Sequence, residues 1–107
     1  MSKTPFKRNE GLLQNLSESY LTRLQIPYLH LTTFFKGKRI PGMTYWPDLL
    51  IFMPKGRPLL VELKSEKGEP SDGQIAKFAD LEASGYPVQI VRDFEEFENL
   101  ILSKLGR

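Results

Sequence analysis

Cysteine is absent from the 107 residues. That excludes a disulfide framework and a Cys-ligated zinc site, and it agrees with a reducing cytoplasmic setting in a bacterium or a phage-infected cell. Histidine occurs once, as His30, so zinc chemistry of the two-histidine kind is excluded as well. Any metal must therefore be held mainly by oxygen, which points to Mg²⁺ or Mn²⁺. Long hydrophobic runs are also missing. The apolar stretches are strand-sized and residues 1–5 lack the apolar segment of a signal peptide, so no membrane location is expected. Nor is there a marked excess of one charge: 15 basic against 13 acidic residues leave a formal charge of +2. Such a balance permits a nucleic-acid partner without requiring one.

What remains is ordinary globular material, 40% apolar and 26% charged, of a length that builds one core. No repeat, low-complexity tract or linker divides it, so residues 1–107 are expected to form a single domain. Asn9 can cap a helix whose Leu13, Leu16, Tyr20 and Leu24 recur at intervals of three and four, ending before Pro27. Residues 28–35, rich in β-branched and aromatic side chains, read as a strand. Residues 36–42, with Lys36, Lys38, Arg39, two glycines and a proline, read as a basic exposed loop. Two further apolar runs, 47–53 and 58–64, suggest a hairpin about residues 54–57. Both of its faces are apolar, so helices should pack above and below the sheet.

Ser71 followed by Gln74 has the form of a capping box for a helix that carries Ile75, Phe78, Ala79 and Leu81 and ends at Gly85. Residues 87–92 read as another strand. Asp93 and Glu96 open a last helix with Phe94, Phe97, Leu100, Ile101 and Leu105 on its buried side. The expected fold is α/β, a mixed central sheet flanked by helices in the order α-β-β-β-α-β-α. Its 58–64, 71–84 and 87–92 elements form a βαβ unit with parallel strands.

Three charges interrupt the hairpin: Asp48 in one strand, Glu62 and Lys64 in the other. Carboxylates and ammonium groups inside core strands are costly unless paired or metal-bound. Period two places Glu62 and Lys64 on one face. A two-residue turn at Lys55–Gly56 would set Asp48 opposite Leu63, on the wrong face. An odd loop centred on Gly56 sets it opposite Lys64 and diagonal to Glu62, and this is the predicted register. Two converging carboxylates suit a hard cation that activates water and neutralises charge in phosphodiester hydrolysis. Lys64 could position the attacking water or stabilise the phosphate. The plainer reading of the three is a structural ion pair with a surface carboxylate.

Pro47-Asp48, followed after thirteen residues by Glu62-Leu63-Lys64, resembles the PD-(D/E)xK nuclease superfamily. With Val61 to Gly68, Ser71-Asp72-Gly73-Gln74 and Gly85-Tyr86-Pro87, roughly residues 41–100 resemble a virus-type replication-repair nuclease (VRR-NUC) domain. The resemblance implies a restriction-endonuclease-like core and a metal-dependent DNA endonuclease, acting on branched DNA such as four-way junctions or flaps in repair, as a homodimer. The alternative is a catalytically silent DNA-binding or scaffold module on the same fold. The resemblance makes Asp48, Glu62 and the backbone carbonyl of Leu63 metal ligands, Lys64 the catalytic lysine and Gln74 the helix glutamine near the site. It also implies an acidic residue on the first helix, Glu10 in preference to Glu18. The sequence departs from the family pattern where Met43 to Trp46 separate Gly42 from Pro47, which suggests a reshaped approach to the site.

Plain structural roles stand beside these. Gln74 is explained equally by capping, and Glu10 by the helix dipole. Lys36, Lys38 and Arg39, with Lys3, Lys7, Arg8, Lys55 and Arg57, are either solvated or contacts to phosphate. His30 is expected near the site at most, without a catalytic part, and Trp46 is expected to be buried.

Overall fold

The computed structural model describes residues 10–106. The expected cap Asn9 and the cations Lys3, Lys7 and Arg8 lie outside the described residues. Helix α1 (Glu10–Arg23) buries Leu13, Ser17, Tyr20 and Leu21. Leu16, expected to face inward, is 43% exposed. The buried stripe runs through Leu13, Ser17 and Tyr20–Leu21, at spacings of four and three, and Leu16 falls outside it. The helix closes on Gln25, at φ 61°, with Ile26 N–H donating to Leu21 O (2.9 Å) and Gln25 N–H to Thr22 O (3.0 Å). These are the two bonds of a Schellman ending, and Pro27 then prevents any resumption of the helix.

Residues 28–35 are not one strand. β1 (Tyr28–His30) joins the main sheet, whereas β2 (Phe34–Phe35) pairs with β3 (Lys38–Arg39) in a separate hairpin. The intervening Lys36 and Gly37 have φ 54° and 80°, the paired left-handed conformations of a tight hairpin turn. Within the segment read as a basic loop, Lys38 and Arg39 are therefore strand. Next come β4 (Leu49–Phe52), β5 (Pro58–Leu63), α2 (Asp72–Ala83), β6 (Val88–Val91) and α3 (Phe94–Lys104). Apart from the added hairpin, the expected order holds.

The main sheet runs β1-β4-β5-β6. Its first three strands are antiparallel, and β6 is parallel to β5 as the βαβ reading required. On one face Leu49, Ile51, Leu59, Val61 and Leu63 pack with Leu13, Tyr20 and Leu21 of α1 and with Phe97 and Ile101 of α3. Tyr20 meets Phe94 and Phe97 edge-on, at centroid distances of 5.4 and 6.3 Å, the arrangement that ring quadrupoles favour. The other face carries Leu50, Phe52, Leu60 and Glu62, which follows from strand alternation. Helix α2 covers it less completely than expected. It has no buried residue, Ile75 is 55% exposed, and Phe52 and Ile90 stay open. Among the described residues no helix is long and apolar enough to cross a membrane.

Candidate active site

The hairpin register decides which charges meet. Leu49 pairs with Val61 and Phe52 with Pro58, so residues 53–57 form a five-residue loop. The loop is odd, as predicted, but it centres on Lys55, at φ 57°, rather than on Gly56. One step beyond Leu49–Val61, Asp48 therefore stands directly across from Glu62 instead of diagonal to it. Lysine tolerated in a left-handed turn position shifts the centre by one residue, and the partner by two. The face is unchanged.

Asp48 is held from both sides. Its carbonyl accepts from Leu31 N–H at 2.7 Å, and its Oδ2 accepts from Leu63 N–H at 2.7 Å. The carboxyl is pushed up by burial first and by the nearby Glu10 charge, against the lowering effects of the Leu63 bond, His30 and Lys64. Glu62 is 3% exposed. Its Oε2 accepts from Lys64 Nζ (3.2 Å) and Gln74 Nε2 (3.0 Å), while its Oε1 is buried without a hydrogen-bond partner. Burial, then the charge of Asp48, raises the Glu62 carboxyl from 4.5 to about 7. Two desolvated carboxyls facing each other, both pushed up by burial and Glu62 further by the charge of Asp48, favour either a shared proton or a cation between them.

Gln74 unites the two readings offered for it. Its backbone N–H donates to Ser71 Oγ (3.2 Å) and Ser71 N–H donates to its Oε1 (3.0 Å), a reciprocal capping box. The same Oε1 also accepts from Lys64 Nζ at 3.1 Å. One amide thus caps α2 and orients both Lys64 and Glu62.

Glu10 and Glu18 separate. Glu18 binds Tyr28 Oη (2.8 Å) and Gln14 Nε2 (2.7 Å), with His30 Nδ1 3.8 Å away. Glu10 reaches the loop after Lys64, where its Oε2 accepts from Ser65 N–H at 3.2 Å. Glu10 is close enough for its charge to act on Asp48, although among the described residues no group of three His, Asp or Glu is gathered as a metal cluster. His30 influences Asp48 through its charge but turns to Gln14, with 2.7 Å between Nε2 atoms. The donor set at the centre is two carboxylates, one with an unpartnered buried oxygen. Mg²⁺ is bound through one or two carboxylates with water completing its shell, so these residues fit a hard divalent ion.

Of two further features, the part played by Arg92 had no sequence signal, whereas the departure at residues 43–46 announced the second. Arg92, at the end of β6, donates through Nη1 to the carbonyls of Ser65 (3.0 Å) and Gly68, and its Nη2 lies 3.4 Å from Glu69 Oε1. It thereby holds the loop that contacts Glu10, and backbone carbonyls as partners leave no pattern in the sequence. The segment 43–46 folds over the start of α2. A Cβ on Gly73 would lie 2.4 Å from the Tyr45 ring, so glycine is needed for that approach. The nearby Trp46, expected to be buried, is only partly so, and its Nε1 donates to Gly42 O at 2.8 Å.

The family model of the VRR-NUC domain matches residues 36–94, a stretch holding Asp48, Glu62, Lys64 and Gln74 but not Glu10. A solved structure described as a VRR_NUC domain is 26% identical, with a TM-score of 0.68 over 87% of this chain and 94% of that one. A second, described as a VRR_NUC domain protein, has a TM-score of 0.60 over 91% of this chain and 88% of that one. At 16% identity it shows the fold alone. No curated protein matches the chain.

Proposed function

The chain belongs to the VRR-NUC domain family, a nuclease-fold DNA-processing module, and from that premise we propose that it is a Mg²⁺- or Mn²⁺-dependent endonuclease. Its substrate is DNA with branched or otherwise structured regions, four-way junctions and flaps included, in a repair setting in the cytoplasm. Residues 1–107 act as one domain. The observation that carries this reading is the convergence of Asp48, Glu62, Lys64 and Gln74 on one sheet face, with Glu62 Oε1 buried and unpartnered.

Asp48, Glu62 and the Leu63 carbonyl would hold the metal. When bound, the ion supplies a more acidic water and neutralises charge on the phosphate. The remaining work falls to the side chains. Lys64 commits two protons to Glu62 Oε2 and Gln74 Oε1, and its third serves the attacking water or a phosphate oxygen. Gln74 keeps that ammonium in place, and Glu10 adds negative charge at the rim. A chain with one such site cuts two strands of a branch by pairing with a second copy.

The test uses plasmid, single-stranded, flap and four-way-junction DNA, with and without Mg²⁺ or Mn²⁺. Metal-dependent cleavage is expected, reduced at least about 100-fold in Asp48→Ala and in Lys64→Ala. Cleavage undiminished in both variants would sink the proposed site. Binding without cleavage by the wild type would replace it with the silent-module reading.

A further inference from the structure

Beside the carboxylates, on the same sheet face, lies an apolar groove of about 520 Å³. Its floor is Leu50 and Leu60, which are cross-strand partners. They lie two residues along the strands from Asp48 and Glu62, about 7 Å by strand rise. Met43 and Trp46 of the inserted segment form one wall, and Leu81 and Tyr86, at the far end of α2, form the other. Cations border both aromatic rings: Lys77 Nζ lies 4.9 Å from the Trp46 centroid, and the Arg57 guanidinium lies 5.5 Å from that of Tyr86.

We propose that this groove receives an unstacked nucleobase from the strand being cut, next to the phosphate held at Asp48, Glu62 and Lys64. The inference rests on the nuclease reading of those residues. The occupant must be flat and apolar on its faces yet carry anionic groups, because the interior offers leucines and aromatic rings while the rim offers Lys77 and Arg57. A nucleotide has that combination, with the base inside and the phosphates at the rim. The floor lies about one phosphate-to-base step from the carboxylates, so a single strand can satisfy both places at once. Ser84 and Tyr86 bring two hydroxyls to an otherwise largely apolar lining, so base edges are little read and the site accepts any base by its π-face. A base paired within an intact duplex cannot enter without being unstacked. Nucleotides already unpaired at a flap or junction enter at much lower cost. The groove thereby selects substrates with unpaired nucleotides beside the scissile bond.

Trp46 is the one tryptophan in the chain, so its fluorescence reports on the groove directly. Wild-type protein in chelator would be titrated with a short oligothymidylate and with an abasic deoxyribose-phosphate oligomer of equal length. Quenching is expected with the first alone, together with about 5- to 100-fold tighter binding than the abasic oligomer shows. Tyr86→Ala, at a partly exposed position, is expected to erase most of that difference. Equal affinities without quenching would overturn the proposal. So would a Trp46 signal that follows protein concentration and ignores oligonucleotide, since the groove would then be covered by a second copy of the chain. Because no cleavage occurs in chelator, failure of this readout is separate from failure of the Asp48 and Lys64 variants to lose cleavage.

Discussion

At the scale of single residues, Glu62 ties stability to pH. Its carboxyl releases a proton near 4.5 when unfolded and near 7 when buried opposite Asp48. Between those values only the folded chain holds the proton, so stability falls as pH rises from about 4.5 to about 7 and is then level. Glu62→Gln imitates the protonated acid. Without metal, the variant is expected to lose this slope and to be more stable than wild type at pH 8, by up to about 3 kcal/mol. Thermal melts from pH 5 to pH 8 measure it, and a wild-type melting temperature that stays flat against the variant would refute the assignment. Asp48, Glu62 and Lys64 were legible in the sequence because charges inside apolar strands are conspicuous. The choice between Glu10 and Glu18 was open, since both project from one helix and only packing shows that Glu10 meets Ser65 while Glu18 is taken by Tyr28. Trp46 misled because a lone tryptophan usually belongs to a core, and here it edges a groove.

At the scale of elements, periodicity and capping signals carried most of the fold. The helices and the two strands of the 49–63 hairpin combine strong apolar patterning with clear boundaries, and they stand where expected. Residues 28–39 do not, because β-branched and aromatic composition marks extended chain without telling which strand it will pair with. The parity of the 53–57 loop was readable from the need to bring Asp48 to the face of Glu62. Its centre was not, since it depends on Lys55 adopting a conformation usually left to glycine. The loop between β5 and α2 owes its shape to Arg92. Arg92→Ala strips the carbonyls of Ser65 and Gly68 of a charged donor, and a loss of about 1–3 kcal/mol in urea denaturation is expected. An unchanged midpoint would mean that the loop holds its shape without the guanidinium.

At the scale of the whole molecule, one core and one carboxylate pair make a half-tool for any substrate with two strands to cut. The outer side of α1 offers Leu12 and Leu16, four residues apart and 39% and 43% exposed, as an apolar contact for the second copy proposed above. This face is on the opposite side of the sheet from the groove, so pairing there leaves the strand path open. Leu16→Glu is expected to convert a dimer to a monomer in sedimentation velocity while leaving the fold intact, because Leu16 contributes nothing to the core. A wild-type monomer at all concentrations would remove the need for this face.

Gln74 belongs to two structures at once, and that has a kinetic consequence. The first turn of α2 cannot fray without its amide leaving Lys64 and Glu62, so helix end and chemical centre open as one local unit. Whatever occupies the centre therefore also slows amide exchange at the start of α2. The helix end, in turn, shares with Glu62 the holding of the Lys64 ammonium.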